Sequence, residues 1–463
     1  MASEFWKKRS LRTRDDTRTN AAALTLRQSI YPIFLVTILF FLWGYSYGLL
    51  DTLNKHFQKV LDIDRARSAG LQAAYFGPGV GALLAIAAIK QESFGGFCAC
   101  IFIIGNGLGS LETAANPYIT GMTETHASLQ RAGANNFGTV CGPPRYAEVR
   151  INISQAFNGI GTVVAPVMGS YVFFTFDDAQ ALQNVQWVYL AIAAFVFALA
   201  FVFFMSNIPE ITDADMAFQA EETNTASSSQ LPLRKQYRLF HAAFAQFCYT
   251  GAQVAIAAYF INYVTETREN TSNALGSQFL AGAQAAFAVG RFAGVGIMHF
   301  VKPRIVFGVF LTCCVIFIAP AITQHGNTGM AMLFVTMFFE SICFPTIVAL
   351  GMRGLGRHTK RGSGWIVGGV VGGAVVPPLM GYAGDRHGMG ISMVVPLCFF
   401  VAACTYAFAV NFVPWYRDTA DAYTETTVGI DNGAGIVPDE EKGDTYSEEK
   451  GAVAVEEHSS GSK

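Results

Sequence analysis

The sequence predicts an all-α, polytopic membrane protein built from two six-helix bundles, the first of them incomplete. Three observations lead there: long uncharged apolar blocks, a match between the two halves of the chain, and a spacing mismatch inside that match. Apolar residues make up 52% of the 463 and charged residues 14%, far from the soluble average. Ile30–Leu50 runs 21 residues without a charge, and Ile151–Phe176, Ala242–Val264 and Ile305–Gln324 are similar or longer. Blocks of that length match the roughly 20-residue helix that crosses about 30 Å of hydrocarbon.

Taken in order, the spans are predicted at 30–50, 68–89, 94–120, 150–175, 187–207, 240–264, 276–299, 305–324, 329–352, 362–383 and 390–414. The first is too long and starts too far in to be a cleaved signal peptide. Ahead of it, residues 1–29 carry Lys7, Lys8, Arg9, Arg12, Arg14, Arg18 and Arg27, which predicts a disordered cytoplasmic head by the positive-inside rule. Residues 208–239, with the run TNTASSSQ, read as a cytoplasmic linker between the bundles 30–207 and 240–414. The segment 415–463, rich in Asp, Glu, Thr, Ser and Gly, reads as a disordered acidic tail.

The halves match in three places. AGLQAAY (69–75) recurs as AGAQAAF (281–287), and GTVVAPVMG (161–169) as GAVVPPLMG (373–381), both offset by 212 residues. LETAANPYI (111–119) pairs with FESICFPTI (339–347) at an offset of 228, keeping an acid, a hydroxyl and a proline five residues after the acid. Parallel repeats of a six-helix unit are the architecture of the major facilitator fold, with substrate held between the halves near the midplane.

The unequal offsets locate damage. Gln72 to Glu112 takes 40 residues where Gln284 to Glu340 takes 56; Glu112 to Gly161 takes 49 where Glu340 to Gly373 takes 33. Forty residues reach only about 60 Å as helix, too little for the rest of helix 2, all of helix 3 and half of helix 4. The short region contains Gly77-Pro78-Gly79, which breaks a continuous helix, and the long one contains a polar insert at 121–139 without amphipathic period. Topology agrees. The head and the basic loops Arg234/Lys235/Arg238, Lys302/Arg304 and Arg353/Arg357/Lys360/Arg361 belong on one face, which needs six spans before Arg234 where five are found. The glycosylation triplet Asn270-Thr271-Ser272 then falls outside, as does GYAGDRHG at 381–388.

Several functions are excluded or disfavoured. No basic patch interleaved with aromatics suggests nucleic acid. No nucleophile–base set, phosphate loop or metal cluster appears, so neither an enzyme nor a cofactor is expected. Eight of the nine cysteines lie in apolar blocks without CxxC spacing, which suggests buried free thiols.

FFLWGYSYGLLDTLNKHFQ, LGSLETAANPY, RINISQAFNGIG, AQFCYTGAQ and CFPTIVALG resemble the fucose permease group of proton-coupled sugar symporters in the major facilitator superfamily, in a eukaryotic, fungal-like version. The resemblance runs from about residue 33 to 412 with two interruptions. It implies twelve helices, cotransport of L-fucose or another hexose with protons, and roles for Asp51 and Glu112 in substrate binding and proton coupling. It also implies that Gln155 and Asn158, on helix 5, lie near the sugar. Bacterial members have Asn-rich sequence before the helix-1 acid, where this chain has Tyr47-Gly48-Leu49-Leu50. They also lack residues 121–139, so a skipped exon segment and a retained intron would explain both anomalies.

The residues themselves leave alternatives open. Glu112 sits in an otherwise uncharged run with no Lys or Arg in its span. A carboxylate at that depth costs several kcal/mol unless it faces water, pairs or stays protonated, so it is either a proton carrier or a structural acid bonded to another helix. Asn116 lies one turn on, on the same face, and joins the substrate-binding candidates. Asp51 is a coupling acid or a helix cap. Gln155 and Asn158, three apart, either bond sugar hydroxyls or glue helices together. Gln246, Tyr249 and Gln253 follow an i, i+3, i+7 pattern; Tyr249 and Gln253 either hold substrate or pack the core. Glu340 is the repeat mate of Glu112, and Arg291 reads as holding the cytoplasmic end of its helix. The expected partners are a monosaccharide, a proton and the bilayer of the plasma membrane, with a monomeric chain. A sugar sensor on the same scaffold and a non-functional splice or gene-model variant are the competing readings.

Overall fold

The computed structural model describes residues 147–172 and 232–425 apart from 356 and 357, with isolated helical positions between 34 and 45 and between 187 and 205. The expectations for the head, for helices 2 and 3, for the insert 121–139 and for Asp51, Glu112 and Asn116 lie outside these residues. So does the incompleteness expected of the first bundle.

The described elements are all helical. Helix α1 is Ala147–Val172. After a 3₁₀ turn at Leu233–Lys235 come α2 (Tyr237–Thr267), α3 (Asn273–Phe300) and α4 (Pro303–Thr323). Next are α5 (Gly326–Glu340), α6 (Cys343–Met352) and α7 (Thr359–Gly368), then a 3₁₀ turn at Gly369–Val371 and α8 (Gly372–His387). The short α9 (Met389–Ser392) leads into α10 (Val394–Phe412) and α11 (Pro414–Glu425).

Between Tyr237 and Phe412, six segments are long and apolar enough to cross a membrane, α5–α6, α7–α8 and α9–α10 each counting as one. Their ends follow local chemistry. The Ser272 hydroxyl caps α3 by accepting from the Leu275 amide at 3.2 Å, and Pro303 opens α4 at a position that needs no amide hydrogen. Outward faces carry Phe300, Val309, Ile316 and Phe412, all more than half exposed, as a lipid-facing belt requires.

One span is broken. Pro345 has no amide hydrogen to give the Ser341 carbonyl and its ring crowds that oxygen, so α5 stops at Glu340 and α6 begins at Cys343. The stranded carbonyls find other donors. Tyr249 donates its hydroxyl to the Glu340 carbonyl at 2.6 Å, and Arg291 Nε donates to the Ser341 carbonyl at 3.0 Å.

Small residues bring helices together. A Cβ at Gly372 would land on the Phe247 backbone carbonyl, and one at Gly251 on Val376 and the Gly372 carbonyl, whereas Gly296 and Gly368 face open space. Backbone cannot swing aside as a side chain can. Gly372→Ala should therefore destabilise the α2–α8 crossing by about 1–3 kcal/mol or more, while Gly296→Ala should be nearly neutral. Thermal unfolding in detergent checks this, and an unchanged midpoint for Gly372→Ala would refute the close crossing.

Helix α11 corrects the expected tail, since disorder was anticipated from residue 415. Composition hid a docked helix. Asp421 accepts from Arg304 Nε at 2.7 Å and Nη2 at 3.0 Å and from Lys302 Nζ at 2.9 Å. Arg238 lies 5.1 Å over the Trp415 ring, worth about 1 kcal/mol. His241 Nδ1 is 3.3 Å from the Tyr416 hydroxyl, and Arg353 Nη1 donates to the Ala420 carbonyl. Burial pushes the Asp421 carboxyl upward, but the bonds from Arg304 and Lys302 outweigh it and hold it below the ordinary carboxylate range. A lowered folded-state value means this anchor is at full strength at neutral pH and is lost only as pH falls through that value. Four basic side chains thus gather at one end of the bundle, the pattern that the positive-inside rule associates with a cytoplasmic face. Asn270 and α8's C-terminus lie at the other end.

Candidate functional site

The candidate functional region is where α1, the described helix of the first bundle, meets the second bundle. Residues 148, 152, 155, 159 and 166 repeat at near-helical spacing along one side of α1. Each meets the second bundle. At the basic end Glu148 and Arg353 pair at 2.6 Å, with side chains 0% and 4% exposed; the contact is one of charge rather than of an aligned hydrogen bond. Asn152 Nδ2 donates to Thr346 Oγ1 at 3.3 Å. Arg291 Nη1 donates to the Gln155 carbonyl and, at 3.0 Å, to Gln155 Oε1. Gly159 lies against Ala288, and Ser277 donates to the Pro166 carbonyl at 2.8 Å. From Glu148 to Pro166 the seam runs roughly 27 Å, a membrane's thickness.

The other side of α1 faces the first apolar block. A Cβ at Gly161 would meet the Phe41 carbonyl and the Tyr45 nitrogen, and one at Gly44 would meet the Asn158 carbonyl. The amide candidates of α1 therefore divide. Gln155 is fully buried in the seam and bonded to Arg291, with Nε2 lacking a partner; Asn158 is buried beside the segment that holds Gly44.

In the second bundle Tyr249 is fully buried and caps the Glu340 carbonyl, while Gln253 is half-buried. The other polar positions of α2 are less satisfied. Gln246 is fully buried with both amide atoms unpartnered, and Thr250, one turn on, is buried with its hydroxyl unpartnered. Gln246, Thr250 and Gln253 share a face. Buried polar groups without protein partners are exceptional, and these offer both donors and acceptors. Among the described residues no group of His, Cys, Asp and Glu is arranged to hold a metal.

Sequence reasoning missed Glu148, Thr250 and the pairing of Arg353, and misplaced Arg291. Arg291 does not hold the end of α3; it sits nine residues inside, buried, because the carbonyl freed by Pro345 and the amide of Gln155 both need a donor there. Arg353 carried a faint signal as the first charge of a basic loop, but Glu148 lies 205 positions away and no sequence pattern links the two.

Comparison with known proteins extends the picture. The chain is 28% identical over 441 residues to the L-fucose-proton symporter of Escherichia coli (strain K12), covering 85% of this chain and 96% of that one. It is 27% identical over 404 residues to a glucose/galactose transporter of Brucella abortus, covering 79% and 91%. Its structure superposes on that of FucP, a transporter in the outward conformation, with a TM-score of 0.60 and 26% identity over 82% of this chain and 98% of that one. It shares the fold of a D-xylose-proton symporter, at a TM-score of 0.56. The family model described as "Major Facilitator Superfamily" matches residues 63–377, and the chain belongs to that superfamily.

Proposed function

We propose that this protein is a proton-coupled monosaccharide symporter of the fucose permease group, moving L-fucose or another hexose across a membrane by alternating access. The observation that carries the reading is the unmet hydrogen-bonding capacity of Gln246 and Thr250, in line with Gln253, on the helix that enters the second bundle. Amides and a hydroxyl on one helix face suit the paired donors and acceptors of sugar hydroxyls. A seam of breakable bonds between α1 and the second bundle suits the rocking of one bundle against the other. The names of the relatives support the same substrate class.

Within this reading Asp51 and Glu112 carry the coupling, and Gln155, Asn158, Asn116, Tyr249 and Gln253 bind or frame the sugar. Tyr249 frames the site indirectly, its hydroxyl holding the Glu340 carbonyl at the break. The chain works as a monomer in the plasma membrane of a eukaryotic, fungal-like host. A second reading has one observation behind it: the 40-residue spacing from Gln72 to Glu112 against 56 from Gln284 to Glu340 favours a splice or gene-model variant that has lost transport.

The test is uptake of labelled L-fucose, glucose and galactose into proteoliposomes with and without an inward proton gradient. It is run on this chain and on a version with the missing span length restored. Accumulation of at least one sugar that collapses when a protonophore is added is expected. Gradient-independent equilibration, or no uptake by either version, would overturn symport; uptake by the restored version alone would favour the variant reading.

A further inference from the structure

Glu340 has no place in the mechanism so far. It is fully buried, and among the described residues neither carboxyl oxygen has a hydrogen-bond partner. Among the described residues, the titratable groups around this corner are Tyr249 of α2, Cys314 of α4, Cys343 of α6 and Cys404 of α10, with Arg291 of α3 acting on Tyr249. Each makes hydrogen bonds elsewhere. Tyr249 donates to the backbone carbonyl of Glu340, Cys314 Sγ to the Thr336 carbonyl at 3.9 Å, and Cys343 Sγ to the Phe339 carbonyl at 3.5 Å. Arg291 reaches Ser341 and Gln155. A bare carboxylate in such a setting is among the costliest groups a protein can hold, so the uncharged acid is the form that fits this conformation.

The position adds a direction. Glu340 is the last residue before the break that Pro345 imposes, and Arg291 is anchored on the very next residue while its other arm crosses the seam. Any motion that parts α1 from α3 removes Gln155 from the guanidinium but leaves it fixed on Ser341, beside Glu340.

We propose that Glu340 is a second proton-binding group, held in the second bundle, and that Arg291 becomes its counter-charge when the seam opens. On opening, water enters, the carboxyl O–H bond breaks and the proton leaves with the water. The carboxylate then pairs with Arg291, which stays protonated throughout. On closing, a proton returns to Glu340 and Arg291 returns to Gln155. The role in transport rests on the symport reading, whereas the protonation state does not.

The experiment is an infrared pH titration of the purified protein, following the carbonyl band of protonated carboxyls in wild type, Glu340→Gln and Arg291→Gln. The difference between wild type and Glu340→Gln at neutral pH should show one protonated acid lost. In Arg291→Gln the band should persist to higher pH than in wild type, because the counter-charge is gone. Identical bands in wild type and Glu340→Gln would overturn the proposal, and a wild-type titration in Arg291→Gln would overturn the counter-charge. Should Glu340→Gln fail to fold, Glu340→Asp, which moves the band without deleting it, makes the same assignment. In proteoliposomes Glu340→Gln should lose part of the proton uptake that accompanies sugar entry while keeping counterflow. Full proton uptake would make Glu340 a structural acid. If wild type moves no sugar, symport is what fails, and the infrared result still decides the chemistry of Glu340.

Discussion

Replacing Arg353 with alanine will drive the two bundles apart at their basic ends. Glu148 has a fully buried side chain, and among the described residues the opposite charge it meets is Arg353 at 2.6 Å. Removing one partner of a buried pair leaves an uncompensated charge, which costs about 3–5 kcal/mol. The whole penalty falls on the conformation in which the pair is closed, so the population should shift by roughly 100- to 4,000-fold. Spin labels placed at the basic ends of the two bundles should show a longer distance in Arg353→Ala. The double change Glu148→Gln with Arg353→Gln should recover most of the closed population, because neutral amides carry no charge to strand. An unchanged distance distribution in Arg353→Ala would show that the pair is not a gate.

The second large effect concerns Glu112. If it carries the proton, its charge must be neutralised in the states that close around it and released where water reaches it. Glu112→Gln keeps the shape but fixes the neutral form. In a length-restored protein it should abolish accumulation against a gradient and leave counterflow, since exchange needs no net proton movement. Asp51→Asn should weaken counterflow as well, if that acid also touches the sugar. Uptake at two pH values beside counterflow separates the two variants. Accumulation that survives Glu112→Gln would make the acid structural.

How much of this was legible depends on the range of the forces involved. The spans of the second bundle could be read to within a few residues, 276–299 against Asn273–Phe300 and 305–324 against Pro303–Thr323, because a helix in lipid is set by its own length and hydropathy. The break after Glu340 follows from Pro345, although 329–352 read as one continuous span. The seam was not legible. Arg291 follows a run of small apolar residues in FAVGRFAG, and only the tertiary placement of Gln155 and of a carbonyl freed by Pro345 gives it work. Helix α11 was missed for a related reason. Its charged residues look like solvated tail until Lys302 and Arg304, more than a hundred positions earlier, turn out to hold Asp421.

That docked helix changes how force travels through the second bundle. Its contacts reach Arg238 at the start of α2, Lys302 and Arg304 at the α3–α4 turn, and Arg353 at the end of α6. Ends that would otherwise splay independently are thereby bolted to one bar, and the residue that meets Glu148 is bolted to it too. The bundle should accordingly move against α1 as one body. A ligand that tugs on α2 deep in the membrane should then shift Arg353 with it. Severing the chain ahead of Pro414 would leave every span in place and yet uncouple the stroke.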